Sequence, residues 1–364
     1  MQVGRPARSE PQASGALVVL GVESSCDEMA AAVVRGGREV LASVVRGQVA
    51  LHRPYGGVVP ELASRDHARS VSAVATACLE RAGIEAAALD AVAVTAGPGL
   101  VGSLLVGLSF AKALAYRLGV PLVAVHHLAG HLASAELADP ALEAPYVGLV
   151  VSGGHTALYR IEARRPPRLL GETRDDAVGE AFDKVARLLG LPYPGGPSVS
   201  AAAERGDARA VRLPKPLRGR DAREAGAARL DFSFSGLKTA VALEVERRAP
   251  LDLRAQADLA AAFEATAVDA LVRRACAALR AEGLARLAVV GGVAANRRLR
   301  AELAAAGARE GFRAVFPPPA LCTDNAAMIA AAGFRRLERG ERDGLDVGCF
   351  SRVPLDASPW LGAG

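Results

Sequence analysis

Twice along this chain a short apolar run, a tight turn of small polar residues and a second apolar run follow one another. The first copy is residues 17–22, the turn Glu23-Ser-Ser-Cys-Asp-Glu28 and residues 29–34; the second is residues 146–151, the turn Ser152-Gly-Gly-His-Thr156 and residues 157–161. Each reads as strand, polar turn, strand. Two copies about one small domain apart predict a duplicated α/β fold with a cleft between its halves. The first turn carries three acids, Glu23, Asp27 and Glu28, against the end of a hydrophobic strand, where they suit a metal or a proton. The Ser-Gly-Gly turn leaves room for a ligand to approach backbone. Either turn alone also fits an ordinary solvated hairpin.

Between the copies, residues 120–125 read as a buried strand, followed by His126-His-Leu-Ala-Gly-His131. On a helix, His127 and His131 lie one turn apart on one face, a spacing that can hold a transition metal. The pair opens its helix at the C-terminal end of a strand, the edge where open α/β sheets collect ligands. Spacing supplies no third ligand, so a polar helix start remains the alternative. Residues 60–82 read as an amphipathic helix, and residues 321–339 as the last good one, with Thr323 or Asp324 as a possible N-cap.

The chain has 364 residues, long enough for two domains, and it is 51% hydrophobic but only 4% aromatic, so its cores must be built from Ala, Val and Leu. No apolar run reaches the roughly 18 residues that would span a bilayer. The five cysteines (Cys26, Cys78, Cys276, Cys322 and Cys349) are scattered and form no CxxC pair, which suits a reducing cytoplasm. A net charge of +5 tolerates a nucleic-acid partner without establishing one. The expected division is a loose extension over 1–16, one half over 17–140 joined by a helix near 325–340, a second half over 145–324, and a tail over 341–364.

Two motifs invite readings that the residues do not sustain. Gly97-Pro-Gly-Leu-Val-Gly102 matches a dinucleotide fingerprint, but residues 103–135 contain no acid for the ribose and Pro98 sits inside the loop. Those glycines read as a close-packed strand–helix turn. Gly236-Leu-Lys-Thr239 lacks the remainder of a P-loop. The arginine-dense stretch 205–229 reads as a solvated excursion or a phosphate-backbone contact.

Ten stretches, residues 21–28, 52–67, 95–102, 126–131, 150–155, 179–184, 193–197, 231–239, 291–296 and 322–325, together resemble the TsaD (Gcp) family of tRNA N6-adenosine threonylcarbamoyltransferases. They occur in order over about residues 17–340. The family belongs to the actin/hexokinase/Hsp70 (ASKHA) superfamily, so the resemblance implies two actin-like, ribonuclease H-like halves around a nucleotide cleft. It implies a divalent metal, Fe2+ or Zn2+, on His127, His131 and a distant Asp324. It implies that Val150, Val151, Ser152, Gly153, Gly154, Asp183, Gly196 and Asn296 hold threonylcarbamoyl-AMP. The threonylcarbamoyl group would pass to N6 of adenosine 37 in tRNAs reading ANN codons, giving t6A, and AMP would leave. Implied partners are the tRNA, an inactive paralogue (TsaB), a small ATPase (TsaE) and an upstream threonylcarbamoyl-AMP synthase, all in the cytoplasm with no membrane. Glu28 or Asp27 is the expected proton acceptor for the attacking amine. Ser200 stands where some members carry a carboxylate against the ribose.

Three competing readings have distinct signatures. A zincin metallo-endopeptidase carries its general base inside HExxH, whereas Leu128, Ala129 and Gly130 stand between these histidines. An ATP-dependent kinase of the same superfamily would hold its metal through phosphates and would not need the histidine pair. A non-catalytic scaffold predicts a degraded metal motif, and this one is intact.

Overall fold

The computed structural model describes residues 17–217, 230–358 and 360. The extension over 1–16 and the arginines 218, 220, 223 and 229 of the basic stretch lie outside the described residues. The strands are β1 (Val18–Glu23), β2 (Glu28–Arg35), β3 (Glu39–Gly47), β4 (Ala91–Gly97), β5 (Leu122–His126), β6 (Tyr146–Val151), β7 (Thr156–Ile161), β8 (Arg168–Glu172), β9 (Arg286–Val290) and β10 (Arg313–Val315). The α-helices are α1 (Val49–His52), α2 (Pro60–Ala82), α3 (Val101–Leu118), α4 (His127–Ala138), α5 (Val178–Leu188), α6 (Gly195–Ala203), α7 (Ser235–Arg248), α8 (Leu253–Glu282), α9 (Arg297–Glu310), α10 (Pro319–Cys322) and α11 (Ala326–Glu338).

The two polar-turn repeats seed two sheets of one topology. The first runs β3-β2-β1-β4-β5 and the second β8-β7-β6-β9-β10. In each, the hairpin pairs antiparallel (β1 with β2, β6 with β7) and the first strand pairs parallel with a later one (β1 with β4, β6 with β9). The central strands are buried on both faces, which is why they read as unbroken apolar runs rather than alternating ones.

The described residues divide into two compact units, one of residues 17–48, 59–137, 324–358 and 360, the other of 49–58, 138–217 and 230–323. The segment 49–58 therefore groups with the second unit, where Arg187 donates to the Gly56 carbonyl at 2.8 Å. Asp324 groups with the first, because α11 packs on β1, β2 and β4. That packing is close. A Cβ on Gly21 in β1 would collide with the Ala326 carbonyl and Ala330 of α11, and one on Gly333 of α11 would collide with Ala93 of β4.

Helix boundaries follow local chemistry. Pro60 takes the first position of α2, where its missing N–H costs nothing. Gly83 ends it at φ +65°. One expectation needs correcting: α3 is long and apolar enough, by length and composition, to cross a membrane. Leu104, Leu108, Ala111 and Ala115 on its inward face are buried, and α3 packs on α2 and β4. The glycine-rich turn before α3 is a packing device, as expected. A Cβ on Gly97 or Gly99 would strike the Phe350 or the Ser25 carbonyl, respectively.

Because α11 lies directly on Gly21, Gly21→Val should destabilise the protein by about 1–3 kcal/mol, as overpacking does elsewhere. Denaturant unfolding monitored by circular dichroism measures this. An unchanged midpoint would mean that the helix is not seated as described.

Candidate active site

The site in the first unit is assembled from three chain segments. His126 ends β5, and α4 begins at once with His127, so His127 and His131 meet edge to face along one helix face, their ring centroids 4.7 Å apart. Gly130 lies between them, and a Cβ there would press on Ile329 and Met328. Glycine thus lets α4 settle against the first turn of α11, which carries Asp324 to the histidines. Asn325 is the N-cap of α11, its side chain accepting from the Met328 N–H at 3.0 Å. The expected cap was Thr323 or Asp324; with Asn325 in that place, the Asp324 carboxylate does not cap α11.

It is aimed at the imidazoles. Asp324 Oδ1 lies 3.5 Å from His127 Nε2 and 3.2 Å from His131 Nε2. One donor atom from each of the three residues falls within 4.8 Å of the others. Ligands of one tetrahedral ion with bonds of about 2.0 Å stand about 3.3 Å apart, so little movement is needed. His131 is fully buried, and neither of its ring nitrogens makes a hydrogen bond among the described residues; the approach to Asp324 lacks hydrogen-bond geometry. A buried imidazole left so is costly, and a cation is the partner that would satisfy it.

Glu23 completes the arrangement, and sequence reasoning had placed it only among the acids of the first turn. Its Oε2 takes the Thr95 hydroxyl at 2.5 Å and lies 3.1 Å from His127 Nδ1; its Oε1 accepts from the Ser25 N–H at 2.5 Å. Ser25 Oγ is 3.2 Å from the same ring nitrogen. These contacts assign the proton to Nδ1 and turn Nε2 towards Asp324, the carboxylate–histidine pattern that orients metal ligands. Burial works to raise Glu23, but the charge and hydrogen bond of His127, with the bond from Thr95, hold it below the usual carboxylate range. Burial would lower His127, yet Asp324 and Glu23 outweigh it and raise it to about 9. The pocket attracts positive charge. Glu28 is pushed up to about 10 by burial and by the charges of Asp324 and Asp27, with a hydrogen bond to Asp27. The turn is pinned by α2: His67 Nε2–H donates to the Cys26 carbonyl at 2.9 Å, while its Nδ1 accepts from Gln48 at 3.0 Å.

The second unit gathers the remaining expected residues. Val150 and Val151 end β6 beside β9, with Val150 opposite Val290. Gly291, at φ +95°, has no room for a Cβ against Val151, and it leads into the turn 292–295 and Asn296. The Ser152 carbonyl accepts from Gly179 N–H at 3.2 Å, bringing α5 onto the hairpin. Asp183 of α5 caps the start of α6 by accepting from Gly195 N–H at 2.7 Å. A Cβ on Gly153, Gly154, Gly196 or Gly292 would meet nothing within 4 Å. Their backbone is open to a flat ligand. Asn296 caps α9 through Leu299 N–H at 2.8 Å, and its amide donates to Glu264 at 2.7 Å and to Ser200 at 3.1 Å. A buried carboxylate from α8 therefore stands beside Ser200.

The sequence profile of the family described as TsaD, tRNA N6-adenosine threonylcarbamoyltransferase, matches residues 39–331. The chain belongs to that family. It is 54% identical to the enzyme so named from Sorangium cellulosum, over 95% of this chain and 99% of that one. With the namesake from Symbiobacterium thermophilum it shares 52% over 95% and 97%. The fold is also that of more distant structures. Full-length HypF superposes with a TM-score of 0.59 at 12% identity, covering 92% of this chain and 47% of that one. The (R)-2-hydroxyglutaryl-CoA dehydratase component A of Acidaminococcus fermentans gives 0.52 at 15%, covering 89% and 100%. These likenesses establish the actin-like ASKHA fold. The protein is thus a tRNA-modifying transferase that forms t6A, with tRNA as its substrate. Neither the endopeptidase nor the kinase reading finds support among the named relatives.

Glu23→Ala should lower Zn2+ affinity by about 10- to 100-fold, the usual cost of removing such an outer partner, while leaving the circular dichroism spectrum unchanged. Competition against a chromogenic chelator measures it. Equal affinity would remove Glu23 from the site.

Proposed function

We propose that His127, His131 and Asp324 hold one divalent cation, Fe2+ or Zn2+, and that this cation serves transfer of a threonylcarbamoyl group from threonylcarbamoyl-AMP to N6 of adenosine 37. The observation that carries the reading is the buried His131, both of whose ring nitrogens lack a hydrogen-bond partner among the described residues, beside Asp324. When bound, such a cation supplies Lewis acidity towards a carbonyl and keeps coordination positions open for substrate. Imidazole and carboxylate suit iron and zinc alike.

The other roles fall to the chain's own groups. Val150, Val151, Ser152, Gly153, Gly154 and Gly196 offer backbone to the adenylate, with Asp183 and Asn296 fixing the turns on which they lie. Backbone N–H groups at these turns stabilise the leaving phosphate of AMP. Glu28 is held protonated and hydrogen-bonded to Asp27 beside Asp324, so of the two expected acceptors Asp27 takes the proton that the amine loses on attack. Of the basic stretch, Arg205, Arg209, Arg212 and Lys215 are described, and we assign tRNA backbone contact to that face. Partners of the kinds that the family implies, a dimerising paralogue (TsaB), an ATPase (TsaE) and an upstream threonylcarbamoyl-AMP synthase, complete the system in the cytoplasm. We assign the two actin-like halves to residues 17–140 with the helix near 325–340, and to residues 145–324, except that segment 49–58 groups with the second unit and Asp324 with the first.

Reconstitution tests the proposal. Mixed with the paralogue, the ATPase, threonylcarbamoyl-AMP and unmodified tRNA, the protein should yield the modified nucleoside by mass. His127→Ala should lose both its metal and this product. A variant that keeps its metal would point instead to phosphate-held magnesium, as in the superfamily's kinases.

A further inference from the structure

His126, the residue before the metal pair, has partners that the transfer reaction does not explain. It is 1% exposed. Its Nδ1 accepts from the Leu128 N–H at 3.1 Å, and its Nε2–H donates to the Val353 carbonyl at 3.0 Å. The two partners fix the tautomer. The first N–H groups of a helix have no carbonyl within it, and His126 supplies one with an acceptor, as Ser or Asp does at an N-cap. The start of the metal-holding helix is therefore set by an imidazole whose other nitrogen is tied to the C-terminal segment.

That segment runs as a strap across the ends of two strands. Asp343 N–H donates to the Leu122 carbonyl at 2.9 Å, and the Asp343 carboxylate accepts from Ala124 N–H and from Arg336, both at 2.7 Å. Farther on, Phe350 N–H donates to the Ala96 carbonyl at 2.9 Å, and the Ser351 carbonyl accepts from Gly99 N–H at 3.2 Å. Trp360, 2% exposed, packs with Ala96 and Ala124. Its ring lies 6.2 Å from that of His126 and 5.8 Å from that of Phe350. Residues 341–358 and Trp360 all lie beyond the family match, which ends at residue 331.

We propose that this strap is a positioning device for the metal ligands: acting through His126, it fixes where α4 begins and hence where His127 and His131 point. The inference rests on the reading of those two residues and Asp324 as the cation's holders. A strap that merely covered the edge strand β5 would need the Asp343 contacts, but not the Val353 bond or an indole lodged beside His126.

The test uses the full chain carrying His126→Ala, His126→Asn or Trp360→Ala. Zn2+ affinity is measured by chelator competition, and exchange of the Leu128 amide is followed in the zinc-free protein. His126→Ala should weaken zinc binding at least tenfold and speed Leu128 exchange. His126→Asn, whose amide oxygen stands where Nδ1 does but whose NH2 falls short of the Val353 carbonyl, should restore slow Leu128 exchange but only part of the zinc affinity. Trp360→Ala should give a smaller loss of the same kind. If His126→Ala does not fold, the other two variants decide. A wild type that binds no zinc overturns the metal reading and the strap's role with it. A wild type that binds zinc, with all three variants binding as tightly, overturns the strap alone.

Discussion

One buried contact organises the first unit: a carboxylate on the approach to α11 facing two imidazoles on α4. Burying three such groups is expensive unless charge and hydrogen bonds are matched. Here Glu23 and Ser25 satisfy one imidazole from β1 and its turn, and the nitrogens of the other have no hydrogen-bond partner among the described residues. The fold brings the three together through glycine. Gly21 admits α11 to the sheet, and Gly130 admits α11 to α4. Larger residues at either place would push Asp324 away from the pair, so the close packing of an alanine-rich core and the chemistry of the site are one constraint.

The second unit uses the same strand order for another purpose. Its polar turn has glycines where the first has acids, and the backbone there is open. Around it, Gly291 and Gly179 let the neighbouring turn and helix approach β6 closely. Duplication thus supplies two similar frames, and the turn residues differentiate them, one carrying acids and the other glycines with open backbone.

Much of this was legible in the sequence. The paired hairpins were visible because a strand buried on both faces is an unbroken apolar run. Residues 60–82 showed proline at one end and glycine at the other, and α2 has those bounds. The histidine pair declared itself by spacing. Asp324 did not, since contact between residues so far apart is decided by packing that no local pattern encodes; only the family resemblance supplied it. Glu23 looked like one acid among three, and what singles it out is that it ends a strand beside Thr95 and His127. The tail over 341–364 carries no strong periodicity, yet its described part is held by backbone bonds to the β4 and β5 ends, which side-chain patterning cannot reveal.

X-ray absorption at the metal edge of the zinc-loaded protein reads directly which atoms hold the cation. Two imidazole nitrogens and a carboxylate oxygen are expected at about 2.0–2.2 Å, with the oxygen lost and the imidazoles retained in Asp324→Ala. A spectrum with sulfur ligands, or one unchanged by removing Asp324, would contradict it.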